Sequence, residues 1–203
     1  MITTDTQLKD IIEESLAKAT SYQEYRTLVE NLVAEGKSTG ELQTEALSKY
    51  SMLNDKRMKR LDKTTKLTDA AIAEIKAYNG TVTWLVLTES WCGDAAQTMP
   101  VINKVAELND NITLKVVLRD ENEALMNEFL TNGGKSIPKL IAIDNTSGNV
   151  IGDWGPRPSK ATKMVYDYKA EHGKLTPEFK KDLQVWYNKD KGQNTIDDLL
   201  QLV

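Results

Sequence analysis

The stretch TVTWLVLTESWCGDA, residues 81–95, carries the strongest structural signal in the sequence. Residues 81–88 are almost continuously apolar and rich in β-branched side chains, which is typical of a buried central strand. After it, apolar residues at helical spacing predict a helix over residues 94–108. Cys92, the only cysteine in the sequence, therefore falls at the junction between a buried strand and a helix.

The segments on either side of this junction alternate between helix and strand. A short helix is predicted before it over residues 68–78, and the order strand, helix, strand, strand, helix follows over residues 112–118, 121–130, 139–143, 150–151 and 158–170. The turn sequence DNTSG, residues 144–148, joins the last two strands as an antiparallel hairpin. This order predicts an α/β fold with a mixed sheet of four or five strands and helices on both faces.

The chain is predicted to have three parts. Residues 1–62 form an N-terminal helical extension, residues 63–172 form the core, and residues 173–203 form a tail of short helices that packs on the core. The helices of the extension are amphipathic, so their apolar stripes must be buried against something. Packing on the core is the simplest solution, and a homodimer interface is the alternative to a monomer.

The composition narrows the functional classes. The 203 residues include 30 acidic and 26 basic ones, and this net charge of −4 disfavours nucleic-acid and membrane partners. The basic run KRMKR, residues 56–60, is interpreted as a solvated helix face. Neither a secretory signal nor a membrane span is predicted, and a single cysteine forms no internal disulfide, so we expect a cytoplasmic protein. With one histidine, His172, expected at the surface, we expect no metal and no cofactor.

The chemistry of the junction centres on Cys92. The free amides and the dipole at a helix N-terminus favour a thiolate, which is the nucleophile in disulfide exchange. Trp91 offers a flat apolar surface beside the sulfur, and Gly93 leaves room for a partner backbone. Asp94 opposes thiolate formation, as does Glu89, which we interpret as solvated, so the sign of the net pKa shift stays open. The context predicts an exposed thiol at a functional site.

Several features together resemble the thioredoxins. Trp91-Cys92-Gly93 is similar to the start of the family's W-C-G-x-C motif, and Pro100 is similar to the proline that kinks the family's active-site helix. The segment SIP, residues 136–138, precedes a strand as the family's cis-proline does, and GDWGPRP, residues 152–158, resembles bacterial thioredoxin-like proteins with N-terminal extensions. The resemblance covers about residues 65–170. It implies a thioredoxin-like fold with Cys92 as catalytic residue and a substrate-binding set of Trp91, Gly93, Asp94, Ile137 and Pro138.

Two departures from the family bear on function. Ala95 occupies the position of the second, resolving cysteine, and Val86 that of a buried aspartate that accepts a proton during resolution. Both changes remove the same step of the dithiol cycle. The first hypothesis is therefore a monothiol thiol-disulfide oxidoreductase, in which Cys92 reacts with a protein or small-molecule disulfide and an external thiol resolves the product.

Other functions stay open at this point. The main alternative is a redox-inactive binding module that holds an extended peptide in the cis-proline groove. A third hypothesis is an iron–sulfur cluster that is shared between two chains through Cys92 and an external thiol. A peroxidase is disfavoured, because such sites of this fold carry threonine three residues before the cysteine, where this sequence has Glu89.

Overall fold

The computed structural model describes residues 4–203. Its helices and strands, in chain order, are α1 (Asp5–Lys18), α2 (Tyr22–Ala34), α3 (Glu45–Thr64), α4 (Asp69–Ala77), β1 (Val82–Thr88), α5 (Gly93–Ala106), β2 (Ile112–Leu118), α6 (Glu123–Glu128), β3 (Lys139–Asp144), β4 (Val150–Trp154), α7 (Ser159–His172), α8 (Pro177–Asp190) and α9 (Gln193–Leu199). The predicted order of elements from α4 to α7 is confirmed, apart from a short 3-10 turn at Arg119–Glu121.

The described residues form one mixed sheet of four strands in the order β2-β1-β3-β4. Strand β1 pairs in parallel with β2 and antiparallel with β3, and β3 pairs antiparallel with β4. The central strand β1 is buried on both faces except at Thr83, which accounts for its nearly unbroken apolar sequence. The predicted α/β fold with a mixed sheet is therefore confirmed.

Side-chain caps define where the helices begin. The hydroxyl groups of Thr4, Ser21, Thr44, Thr68 and Thr176 each accept a hydrogen bond from a backbone N–H in the first turn of the following helix. In α1 and α2 the bond is reciprocal, because the Gln7 and Glu24 side chains accept from the cap backbone. Helix α3 begins only at Glu45, because Gln43 before it bonds the loop at Ser38 and Gly40.

The N-terminal helices pack on the sheet and on α5. Tyr25 and Val29 of α2 and Met58 of α3 belong to the same buried apolar cluster as strand β1. Between α1 and α2, Thr20 pairs with Val116 through two backbone hydrogen bonds of 2.9 and 2.8 Å, which covers part of the free edge of β2. The three-part division of the chain stays a prediction, and the first three residues of the predicted extension lie outside the described range.

The C-terminal helices are attached in two different ways. Helix α9 joins the main core through Ile196 and Leu199, and the Asp198 carboxylate accepts hydrogen bonds from Trp154 Nε1 and the Ser159 backbone at 3.1 and 2.7 Å. The apolar face of α8 instead packs with α7 in a separate small cluster, whose buried members are Ala161, Val165, Phe179, Leu183 and Tyr187. Beyond α7, side-chain hydrogen bonds connect α8 to α3 and α5.

Three smaller expectations can be compared with the structure. His172 lies at the surface, as expected. The basic run at residues 56–60 is only partly a solvated face, because Met58 is buried and Arg57 is half-buried. The helix predicted over residues 121–130 is shorter, since the Asn122 side chain bonds back to the carbonyl of Leu118 and separates the 3-10 turn from α6.

Candidate functional site

Cys92 is the N-cap residue of α5, directly after the loop that leaves β1. Its sulfur accepts a hydrogen bond from the Ala95 backbone N–H at 3.5 Å and donates one to the carbonyl oxygen of Ile137 at 3.2 Å. The Ile137–Pro138 peptide bond is cis. The loop after β1 and the loop before β3, which are far apart in sequence, therefore meet at the sulfur.

The thiol is buried rather than exposed. Cys92 has 9% of its surface accessible, so the expectation of an exposed thiol is wrong. Burial raises its pKa to about 12, and the neighbouring Asp94 carboxylate adds to the shift. The helix amides of Ala95 and Asp94 and the charge of Arg157 act in the opposite direction but do not compensate for burial. The net pKa shift of Cys92, whose sign the sequence leaves open, is therefore upward.

Asp94 is the centre of a buried polar cluster beside the sulfur. Its carboxylate forms an ion pair with Arg157, with 2.6 Å between Oδ2 and Nη2, and accepts a hydrogen bond from the Tyr187 hydroxyl at 2.9 Å. Burial raises the pKa of the Asp94 carboxyl, although the Arg157 charge favours the ionised form. The Nε atom of Arg157 is buried and has no hydrogen-bond partner within residues 4–203.

Two long helices cover the first turn of α5. A side chain at Gly93 would begin 3.7 Å from an Arg57 nitrogen of α3 and 4.0 Å from the Gln184 amide nitrogen of α8. Gln184 also accepts a hydrogen bond from Gln97 at 2.9 Å. The room expected beside Gly93 is therefore taken by side chains of the chain itself.

The remaining predicted site residues lie around this cluster. Trp91 is half-buried, and the guanidinium of Arg119 lies 4.8 Å from the centre of its ring. Ile137 and Pro138 are both buried. A Cβ atom at Gly155 would lie only 2.2 Å from the Pro138 carbonyl oxygen. The loop after β4 therefore packs directly against the loop before β3 that contains Pro138.

Glu89 is not solvated, so that interpretation is wrong. Its carboxylate is fully buried and accepts hydrogen bonds from the Thr39 hydroxyl and from the Asp120 backbone N–H. Burial raises the pKa of the Glu89 carboxyl. Glu89 therefore ties the loop that carries Cys92 to two other segments, to the loop between α2 and α3 through Thr39 and to the 3-10 turn after β2 through Asp120.

Ser90 extends the same connection toward α3. Its hydroxyl lies 2.7 Å from that of Ser51 and accepts from the Thr39 backbone at 2.9 Å, and its carbonyl accepts from Asn54 at 2.9 Å. All four residues are buried. The segment before Cys92 is thus fixed by polar contacts to α3 and to the loop that precedes it.

The sequence gives no sign that Tyr187, Gln184 or Arg57 belongs to the site. Tyr187 and Gln184 are ordinary residues of a predicted tail helix, and only the folded chain brings them to the site. Ala95 and Val86 are buried without polar side-chain groups, so neither contributes a thiol or a carboxylate beneath Cys92. Within the described part of the chain, no three acidic, cysteine or histidine side chains are grouped so that they could hold a metal ion.

A family model described as thioredoxin matches residues 40–172, which is well over half of the chain. The chain belongs to the thioredoxin family. The match begins in the loop before α3 and ends with α7, so it includes Cys92, Asp94, Pro138 and Arg157 but not Tyr187. No protein with curated annotation matches this thioredoxin-family sequence.

Two solved structures are similar in fold to this thioredoxin-family chain. One is a protein of unknown function from Pseudomonas aeruginosa, with a TM-score of 0.58, 16% identity and coverage of 90% of this chain and 96% of that one. The other is an HIV epitope scaffold, with a TM-score of 0.56, 18% identity and coverage of 90% and 97%. At these identities the likeness concerns the fold alone.

Among residues 4–203, no helix is both long and apolar enough to cross a membrane.

Proposed function

We propose that this thioredoxin-family protein is a monothiol thiol-disulfide oxidoreductase with Cys92 as its nucleophile. The observation that carries the proposal is the position of the sulfur, which caps α5 and contacts the Ile137 carbonyl beside a cis-proline. Helix amides stabilise a thiolate at this position, and the backbone of an extended substrate can pair beside it. Trp91, Gly93, Asp94, Ile137 and Pro138 surround the reacting sulfur in this proposal.

The proposed reaction balances without a second cysteine in the chain. The Cys92 thiolate attacks a disulfide R–S–S–R′, forms Cys92–S–S–R and releases R′–S⁻, which takes up a proton. A small external thiol R″–SH then attacks as its thiolate at the sulfur of R, forms R–S–S–R″ and returns Cys92 as a thiol. The net reaction transfers R from one disulfide to another, and no net electrons enter or leave the protein.

The buried thiol requires a more open form for this reaction. Because burial raises the pKa of the Cys92 thiol to about 12, the closed form carries almost no thiolate at pH 7. Opening requires that Tyr187 and Gln184 leave the first turn of α5, and these contacts are polar rather than part of the main apolar core. In such a form water reaches the sulfur, and Arg157 is the cation that favours its ionisation.

A second candidate is the redox-inactive module that binds an extended peptide beside Pro138. Two observations favour it. The neutral thiol already donates to the Ile137 carbonyl, and alanine and valine replace the groups that resolution uses in the family. In this function Cys92 holds the loop in shape instead of reacting. Peptide binding also requires opening, since Ile137 and Pro138 are buried.

Intact-mass measurement after treatment with oxidised glutathione tests the first candidate. We expect one glutathione adduct on the unmodified protein, none on Cys92→Ser, and removal of the adduct by reduced glutathione. The Tyr187→Phe variant serves as a form with a weakened cover, and alkylation by iodoacetamide reports whether its thiol is accessible. If this variant is alkylated readily but gains no glutathione at pH 8, the redox proposal fails.

A peptide titration tests the second candidate. A reduced and alkylated polypeptide is titrated against the unmodified protein, Cys92→Ser, and protein alkylated at Cys92, and binding is followed by fluorescence anisotropy. The module predicts equal affinity for the unmodified protein and Cys92→Ser, and weaker binding after alkylation, which fills the groove. No binding to any form would contradict the binding-module function.

A cytoplasmic location and a thiol or disulfide partner stay predictions.

A further inference from the structure

A concave site that Cys92 does not line lies between the C-terminal end of α3 and the junction of α8 with α9. It is a cavity of about 400 Å³. Its charged lining residues are Arg60 and Lys66 from the α3 side and Lys191 from the α8 side. Among the described residues that line it, none is acidic. The protein as a whole carries a negative net charge, so this concentration of positive charge runs against the average of the chain.

Contacts across the cavity hold its walls in place. Arg60 donates to the Asn188 side chain at 2.8 Å, and Gln193 donates to the Lys66 carbonyl at 3.0 Å. Lys191 has a left-handed backbone, and its N–H donates to the Tyr187 carbonyl at 3.0 Å. Within residues 4–203, none of the three cations forms an ion pair with an acidic side chain. Their charges are therefore available to a ligand, on a frame that is already formed.

We propose that this cavity binds a small anionic molecule that carries two or more carboxylate or phosphate groups. Its volume lies in the range of sites for small ligands. A single oxyanion would engage one or two cations, whereas separate anionic groups match cations that come from two different walls. The Arg60 guanidinium suits a planar oxyanion, and the two lysines act as point charges. The site goes beyond thiol exchange and does not use Cys92.

The cavity shares one residue with the site around the sulfur. Tyr187 lines the cavity and also donates its hydroxyl hydrogen to Asp94. The ligand would therefore contact a residue of the cover over Cys92. The binding proposal itself stands on the three cations alone.

Isothermal titration calorimetry with citrate and with pyrophosphate tests the proposal, in a low-salt buffer without other multivalent anions. The variants Lys66→Gln and Lys191→Gln each remove one charge that lines the cavity. Lys189→Gln is the control, because Lys189 is an exposed residue of α8 that does not line the cavity. We expect saturable binding of one equivalent that weakens about tenfold in each lining variant and is unchanged in Lys189→Gln.

The two ligands separate the two sources of negative charge. Preference for citrate identifies a carboxylate ligand, and preference for pyrophosphate identifies a phosphate ligand. No saturable binding of either at millimolar concentration overturns the proposal, as does an equal loss in Lys189→Gln, which would indicate unspecific attraction. Cys92→Ser should bind as the unmodified protein does, so failure of thiol exchange would leave this result intact.

Discussion

The Tyr187 hydroxyl donates a hydrogen bond of 2.9 Å to the carboxylate of Asp94, a residue 93 positions earlier in the chain. Asp94 lies two residues after Cys92, and its other carboxylate oxygen is paired with Arg157. One side chain from the tail and one from the loop after β4 thus meet on the same acidic group beside the thiol. This convergence relates the accessibility of the sulfur to the packing of α8.

Removing the Tyr187 hydroxyl should loosen the cover without creating a cavity. In Tyr187→Phe we expect the free energy of unfolding to fall by about 1–2 kcal/mol, because a buried hydrogen bond to a charged group is lost. Alkylation of Cys92 by iodoacetamide should become about tenfold faster, since local opening costs less. Tyr166→Phe is the matched control, because Tyr166 is 71% exposed and should change neither quantity. If the alkylation rate is unchanged in Tyr187→Phe, the packing of α8 does not control access to the thiol.

Neutralising Asp94 should lower the pKa of the Cys92 thiol. The Asp94 charge is the second cause of the raised pKa after burial, and its removal also leaves the Arg157 charge free to favour a thiolate. In Asp94→Asn we expect the pKa to fall by about one unit or more, measured from the alkylation rate against pH.

The same variant should be less stable, because Arg157 loses its partner in a mostly buried ion pair. We expect the free energy of unfolding to fall by about 3 kcal/mol. Asp167→Asn removes the same charge from an exposed pair and should leave the thiol pKa unchanged. A thiol pKa that rises or stays constant in Asp94→Asn would contradict the assigned cause.

The raised pKa of Cys92 predicts a loss of stability at alkaline pH. Above pH 9 the thiol ionises in the unfolded chain but stays protonated in the folded protein up to about pH 12, so the unfolded state binds fewer protons. Stability from this group is therefore full below pH 9 and decreases as the pH rises. Between pH 9 and 10.5 we expect a loss of about 2 kcal/mol relative to Cys92→Ala, measured by urea unfolding. Parallel curves for the two proteins would rule out a buried neutral thiol.

The contact between Gly155 and Pro138 should not tolerate a side chain. Gly155 has φ of +117°, and a Cβ atom there would lie 2.2 Å from the Pro138 carbonyl oxygen. We expect Gly155→Ala to reduce the free energy of unfolding by about 3 kcal/mol or more, since backbone must move. Gly148 also has positive φ but faces open space, so Gly148→Ala should cost only about 1 kcal/mol. Similar losses in the two variants would show that backbone conformation, not the clash, sets the cost.

The sequence was sufficient for the order of elements and for the position of the thiol. The apolar run at residues 82–88 is a strong local signal, because a central strand must be buried on both faces. The strand at 112–118 lies at the edge of the sheet, and its β-branched residues still mark it in the sequence. The position of Cys92 at the start of α5 followed from the same local pattern. These features depend on neighbours in the chain, which a single sequence displays directly.

The environment of the thiol could not be predicted in this way. The residues next to Cys92 in the chain and in the following helix contact Tyr187, Gln184 and Arg57, whose polar side chains look like those of any solvent-facing helix. Glu89 was misinterpreted for the same reason, since its partner Thr39 lies in a loop 50 residues earlier. A buried charge is recognisable only once its distant partners are known.

The side chains of α8 that pack beside Cys92 are synthesised later than the thiol. Asp94 and Tyr187 are 93 residues apart, and at about 5–20 residues per second a ribosome needs roughly 5–20 s to synthesise the segment between them. All four strands, α5 and the Pro138 loop precede α8, so the nascent sheet can form around Cys92 before its cover exists. We therefore expect the thiol to be more accessible to thiols and oxidants during translation, until α8 has been synthesised and has packed.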